Sequence, residues 1–165
     1  MERVKTECEK LNKECSVRVF PLDLSKPREV LESTKVLFAE EKVDIVVNNG
    51  GSSMRDCFED LELEVIERMM NVNCTSHIAV VKSVLNGMIE RQGGQIVNIL
   101  SLSGLFGMPV RTMYSASKFG LSGFGKALRA EVKPHGIHVC NIYPNYIQTN
   151  ISKNAMLGTG EKFGK

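Results

Sequence analysis

Apolar positions recur along this chain with two periods, and the changes of period mark its elements. In "MERVKTECEKLNKEC", Val4, Cys8, Leu11 and Cys15 recur at three- and four-residue spacing, predicting a helix from almost the first residue. "SVRVF" (16–20) alternates and predicts a short strand, and the turn-rich "PLDLSKP" leads into a helix near Pro27. Within "REVLESTKVLFAEE", Val30, Leu31, Thr34, Leu37 and Phe38 fall on one stripe of that helix. "DIVVNNGG" (44–51) is an apolar run halted by Asn-Asn-Gly-Gly, the signature of a strand buried on both faces of a parallel sheet. A long helix follows from Leu61 to Arg91, ending at Gly93-Gly94 as a left-handed stop. "QIVNILS" (95–101) predicts a second buried strand, residues 112–132 another helix, and "HVCNIYP" (138–144) a third buried strand. Strands alternating with helices, without tandem hairpins, predict an α/β parallel sheet. No repeat, low-complexity stretch or linker divides residues 1–165, so one domain is expected.

Composition narrows the partners. At 165 residues and 42% hydrophobic, the chain is long enough for one sizeable core. A net charge of +2 with interspersed signs offers no nucleic-acid stripe and no polybasic membrane arm. Five cysteines (Cys8, Cys15, Cys57, Cys74, Cys140) without paired spacing point to reduced thiols in a cytosol-facing protein. No apolar run approaches the ~18 residues of a membrane span. "HGIHVC", with His135, His138 and Cys140, lacks the second ligand cluster a metal site needs, so none is expected. Cys74 and Cys140 have no evident base and are expected to be buried small hydrophobes.

"RTMYSASKFG" (111–120) carries the chemistry. It sets Tyr114 one helical turn before Lys118, so a phenol and an ammonium share a helix face. A phenol ordinarily titrates near ~10, and a cation within ~4–6 Å favours its ionised form. The pair is therefore a candidate acid/base device, although the spacing also occurs on ordinary solvated helices. Support comes from the strand ends. Asp23, Asn48-Asn49-Gly50-Gly51, Ser101 and Pro144-Asn145 all follow predicted strands, and ligands of doubly wound sheets sit beyond the carboxyl ends of the strands.

The order NNGG (48–51), NVNCTS (71–76), a strand ending in Ser101, Tyr114-x-x-x-Lys118 and a strand ending YPNYIQTN (143–150) resembles the short-chain dehydrogenase/reductase superfamily. The 13-residue interval from Ser101 to Tyr114 and the 28-residue interval from Asn73 to Ser101 match its pattern. "NNGGSS", "GMIERQGGQIV" and "YIQTNISKNAM" most resemble the dehydrogenase/reductase member 7 group. The resemblance implies an oxidoreductase that interconverts an alcohol and a carbonyl with NAD or NADP. It implies that Tyr114 moves the proton and Lys118 holds the tyrosine and the nicotinamide ribose. Ser101 would donate to the substrate oxygen, and Asn73 would sit at a helix irregularity in a proton relay. On the cofactor side it implies Asp23 at the adenine, Asn48, Asn49 and Gly50 along the strand edge, and Ile147 and Thr149 at the carboxamide. Asn145 stands where the family usually has glycine. The substrates implied are small alcohols or carbonyls, lipid-, steroid- or retinoid-like compounds among them. A homodimer through helices 61–91 and 112–132 is also implied, as is a parent protein anchored at the endoplasmic reticulum with its catalytic part on the cytoplasmic side.

The family's first strand and glycine-rich TGxxxGxG turn have no counterpart in this sequence. The expectation is thus a partial Rossmann-type sheet lacking its first two strands and its last, an internal piece of an enzyme that binds dinucleotide weakly. Either "SVRVF" pairs directly with "DIVVNN", or the sheet edges stay open. A non-catalytic homologue that associates through its two long helices is the alternative function.

Overall fold

Three parallel strands form the sheet of the computed structural model, which describes residues 2–39 and 41–163. They are β1 (Ile45–Asn48), β2 (Gly94–Ile99) and β3 (Ile137–Ile142), adjacent in that order. Parallel neighbours need a crossover. The chain supplies α3 (Leu63–Met70) running into α4 (Ser76–Glu90) between β1 and β2, and α5 (Thr112–Val132) between β2 and β3. Upstream lie α1 (Glu2–Leu11) and α2 (Pro27–Leu37), the latter packed on α4 through the buried Val30 and Thr34. The helices foreseen from periodicity are all present, though α1 forms without burying any residue and leaves Leu11 89% exposed.

One face of the sheet holds the core. Val46, Ile96, Ile137 and Val139 point to the side where α4 brings Val81, Val84 and Met88, and α5 brings Leu128 and Val132. Each fully buried side chain of this kind contributes roughly 1.5–3 kcal/mol. The same face carries a polar ladder. Asn48, Asn98 and Asn141 sit side by side in register. Asn48 Nδ2 donates to Asn98 Oδ1 at 2.8 Å, and Asn98 Nδ2 donates to Asn141 Oδ1 at 2.9 Å. Asn141 Nδ2 then donates to the Ser122 carbonyl at 3.1 Å. Buried amides at this depth are tolerable because each finds a partner. Gly125 of α5 makes the room, since a Cβ there would meet the amides of Asn141 and Asn98.

The other face is only partly covered, with Val97 and Ile99 of the central strand half-buried, and three expectations are corrected there. β1, β2 and β3 are not buried on both faces: Ile45 and Val47 are each 57% exposed and Ile142 is 42% exposed. Cys140 is likewise exposed on β3 rather than buried, whereas Cys74 is buried as expected. "SVRVF" forms no strand. Its residues line an open groove together with Ile45, so of the two edge alternatives β1 keeps its edge open. A strand is stabilised by its ladder, and among the described residues none pairs with 16–20. The stop after α4 also differs, because Gln92, with φ of 53°, takes the left-handed position and leaves Gly93 and Gly94 to lead into β2. Gly94 is instead needed beside Met88, whose thioether would meet a Cβ.

Candidate active site

The carboxyl ends of the strands converge on a cavity of about 510 Å³. Backbone bonds from Leu100 to Ile142 and from Leu102 to Pro144 extend the β2–β3 ladder past the strand ends and set Ser101 at its mouth. Ser101 then opens a single tight turn, its Oγ accepting from the Ser103 N–H at 3.2 Å. Opposite, Tyr114 and Lys118 lie in the first half of α5, both buried and both facing this cavity. The shared helix face expected from their spacing is real, with Lys118 Nζ 5.9 Å from the centre of the tyrosine ring.

Lys118 is held by the carbonyl of Ile99, to which Nζ donates at 3.0 Å. Burial pulls its pKa down to about 8, while Cys74 pulls in the opposite direction. The same burial pushes the Cys74 thiol up, against a smaller opposing effect of Lys118. The ammonium therefore sits in a poorly solvated place, where its field acts more strongly than in water.

Asn73 lies at a helix irregularity, as the resemblance implied. Residues Asn71–Thr75 form a π-helical turn between α3 and α4. Such turns cost backbone geometry and collect at functional sites. The amide of Asn73 is fully committed. Oδ1 accepts from the Ser52 N–H at 2.9 Å, and Nδ2 donates to the Ser52 carbonyl at 2.9 Å and to Ser117 Oγ at 3.1 Å. Asn73 thereby pins the loop after β1. A Cβ on Gly51 would fall 3.3 Å from Asn73 Oδ1 and 3.8 Å from Lys118 Nζ, so this glycine is the thin wall between them.

Of the remaining candidates, Asn49, Gly50, Ile147 and Thr149 line the cavity together with Ser101, Tyr114 and Lys118. Asn48 and Asp23 do not. Asn48 points to the helix side and belongs to the asparagine ladder. Asp23 is exposed in a turn where its Oδ1 accepts from Ser25 Oγ at 2.7 Å and the Ser25 N–H at 2.9 Å, bonds that lower its pKa. No strand forms at 16–20, yet the neighbouring Leu24 packs against Gly50 and its carbonyl accepts from Ser76 Oγ at 2.7 Å, so Asp23 lies beside the loop after β1 but outside this cavity. Asn145, in place of the usual glycine, lines the cavity and folds its own Oδ1 back onto the Tyr146 N–H at 2.7 Å.

Two contributors escaped the sequence reading. His77, one turn after Asn73 on the buried side of the helix, bonds through Nε2 to the Gly50 carbonyl at 2.7 Å. The ring must carry its proton on Nε2 to donate there. Burial lowers its pKa, which favours the neutral form. A histidine on the inward face of a long helix was the available signal. The second is the segment after Thr149. Met156 bridges alongside Met54, and these two with Met69 enclose the Tyr114 ring. Ile151 and Asn154 complete the cavity wall.

The residues present fit one end of a dinucleotide. Asn49, Gly50, Ile147 and Thr149 line one cavity of about 510 Å³ with Tyr114 and Lys118, offering amide, hydroxyl and apolar contacts to a nicotinamide beside them. Gly50 packs so tightly that a Cβ would meet Leu24 at 2.5 Å. Among the described residues, no glycine-rich turn leads from a strand into a helix N-terminus to hold a pyrophosphate.

Comparison with known proteins agrees with this geometry. The short chain dehydrogenase family profile matches residues 1–158. Dehydrogenase/reductase SDR family member 7 of Homo sapiens is 40% identical over 162 residues, covering 96% of this chain and 48% of its own length. The same-named protein of Mus musculus is 40% identical over 159 residues, 94% of this chain and 47% of its own. The chain thus spans about half the length of the curated relatives it matches. Among solved structures, a gluconate 5-dehydrogenase from Burkholderia cenocepacia in complex with NADP and tartrate superimposes with a TM-score of 0.80 at 25% identity, covering 92% of this chain and 60% of that one. A short-chain dehydrogenase from Sphingobium yanoikuyae in complex with NADPH gives 0.84 at 24% identity, covering 92% and 59%. The partial, Rossmann-type sheet, the site at its carboxyl edge and the match over nearly every residue lead to one assignment: this chain belongs to the short-chain dehydrogenase family.

Proposed function

We propose that the chain carries the catalytic half of an NAD(P)-dependent oxidoreductase that interconverts an alcohol and a carbonyl, with Tyr114 as the proton donor and acceptor. The observation that carries this reading is the meeting of Tyr114, Lys118 and Ser101 in one cavity with Asn49, Gly50, Ile147 and Thr149. When bound, the nicotinamide supplies or accepts the hydride. In reduction Tyr114 would give its phenolic proton to the carbonyl oxygen as the carbon gains the hydride. Oxidation of an alcohol runs the same exchange in reverse. Ser101 Oγ–H donates to the substrate oxygen and fixes it where negative charge develops. Lys118, anchored on the Ile99 carbonyl, places positive charge beside the phenol. Asn73 acts through position, holding the loop that bounds the cavity. A second copy packing through α4 and α5 is the partner this reading includes.

The test is hydride transfer followed by NADPH absorbance with a panel of small aldehydes and ketones at saturating dinucleotide. Affinity of these residues for NADPH is expected to be weaker than micromolar, because no glycine-rich turn among the described residues holds the pyrophosphate. Tyr114→Phe is expected to lower turnover by roughly 10²–10⁴ while leaving dinucleotide affinity unchanged. Retention of turnover in that variant removes Tyr114 from its role. Absence of turnover together with tight self-association moves the protein to the non-catalytic alternative.

A further inference from the structure

Beyond Tyr114 the large cavity continues into a smaller one of about 260 Å³, sharing Ser101, Tyr114, Pro144, Asn145 and Ile147 with it. Its other walls include Phe106, Met108 and Arg111. Among the described residues, Arg111 is the only charged side chain lining it. We propose that Arg111 binds a carboxylate on the substrate, so that the compound reacting at Tyr114 is a short hydroxy- or oxo-acid. The proposal rests on the redox reading above for the reacting end, and on Arg111 alone for the acid.

Arg111 stands immediately before α5, three residues ahead of Tyr114, and its guanidinium carbon lies 5.9 Å from the centre of the tyrosine ring. An acid group held there lies within a few bonds of an oxygen at the phenol. The guanidinium is short of partners. Nη1 donates to Ser53 Oγ at 2.6 Å, a neutral acceptor, and among the described residues no carboxylate forms an ion pair with Arg111. Five N–H groups in a planar fork suit a carboxylate bidentately, and such bonds are about twice as strong as neutral ones. Nearby charge adds to the need. Arg55, stacked over Phe163 at 4.7 Å, is a second cation close enough to act on Arg111. Partial burial and Arg55 both disfavour the charged guanidinium, while Tyr114 favours it, so a bound anion relieves an existing cost. The cavity is smaller than the ~300–1,000 Å³ that drug-sized ligands occupy, which selects a compact acid.

The competing role for Arg111 is a clamp on the loop at Ser53, and the two roles separate by experiment. Levulinate (4-oxopentanoate) and its neutral methyl ester serve as probes, titrated against the chain and followed by amide shifts at Ser53, Arg111 and Tyr114. Levulinate is expected to bind at least about tenfold more tightly than the ester, a preference that added salt weakens. Arg111→Gln should bring the two within about twofold, Arg111→Lys should keep part of the preference, and Ser53→Ala, which cuts the clamp but leaves the cation, should keep nearly all of it. Thermal unfolding of each variant checks that it folds. Equal binding of acid and ester, no levulinate binding at millimolar concentration, or an unchanged preference in Arg111→Gln overturns the proposal. So does a loss of preference in Ser53→Ala equal to that in Arg111→Gln. These readings need neither dinucleotide nor turnover. An acid preference without hydride transfer to any carbonyl sinks the redox reading and leaves the carboxylate site standing; hydride transfer without an acid preference does the reverse.

Discussion

The two faces of the sheet are written in similar residues and meet different fates. On the helix side Val46, Ile96 and Val139 are buried under α4 and α5. On the other side Ile45, Val47 and Ile142 remain exposed, with Cys140 and His138 beside them. Local sequence decides that a segment becomes a strand and which residues alternate across it. It does not decide what covers each face, because that depends on elements distant in the chain. A strand apolar on both sides therefore reports what its sequence suits, and the described residues supply helices for one side only.

Substitution on the two faces should expose this difference most strongly. Ile96→Ala removes a side chain with no solvent exposure and is expected to cost about 2–5 kcal/mol in denaturant unfolding. Ile142→Ser, on the partly covered face, is expected to cost under ~0.5 kcal/mol and to reduce self-association in sedimentation, since an exposed apolar patch promotes contact between copies. Comparable destabilisation by both variants would mean that the second face is covered in solution.

The helix side also explains what the sequence did and did not disclose. The positions of α2 through α5 and of β1 to β3 follow from apolar patterning and turn residues. Tyr114 and Lys118 stand out by their helical spacing and Ser101 as a strand-end residue, and Asn73 stands out only through the family resemblance. The asparagine ladder does not. Asn48, Asn98 and Asn141 are ordinary strand residues until the register sets them side by side. "SVRVF" failed for the converse cause: its alternation is strand-like, but a strand also needs a neighbour. Arg111 gave no signal beyond its nearness to Tyr114, because a cation's partners are visible only in three dimensions.

Two glycines on α5 test the ladder more finely. Gly125→Ala pushes a methyl group into the amides of Asn98 and Asn141 and is expected to destabilise by about 1–3 kcal/mol. Gly123→Ala has nothing within 4 Å of the new Cβ and is expected to stabilise by about 0.5–1 kcal/mol, the ordinary helix preference of alanine. Opposite signs two residues apart, read from urea midpoints at constant m, locate the face on which α5 touches the sheet. A gain at both positions would place the ladder farther from the helix.

Lys118 supplies the smallest effect and the one with a distinct pH signature. Burial lowers its pKa to about 8 from the ordinary 10.5, so between these values the unfolded chain holds more protons than the folded one. Stability then rises with pH in that window. Below about pH 8 both states are protonated, and the cost of burying the ammonium is constant. From pH 7.5 to 9 the gain is about 1 kcal/mol by this linkage. Above pH 9 the buried Cys74 acts the other way, since its raised pKa makes the unfolded thiol ionise first. Unfolding of the wild type and of Lys118→Met, measured at both pH values, should show the rise in the first and its absence in the second. An equal rise in both would assign it to another group and show Lys118 to be better solvated than its burial on α5 and its bond to Ile99 imply. The helix side would then hold no buried charge, and the contrast between the two faces would reduce to packing alone.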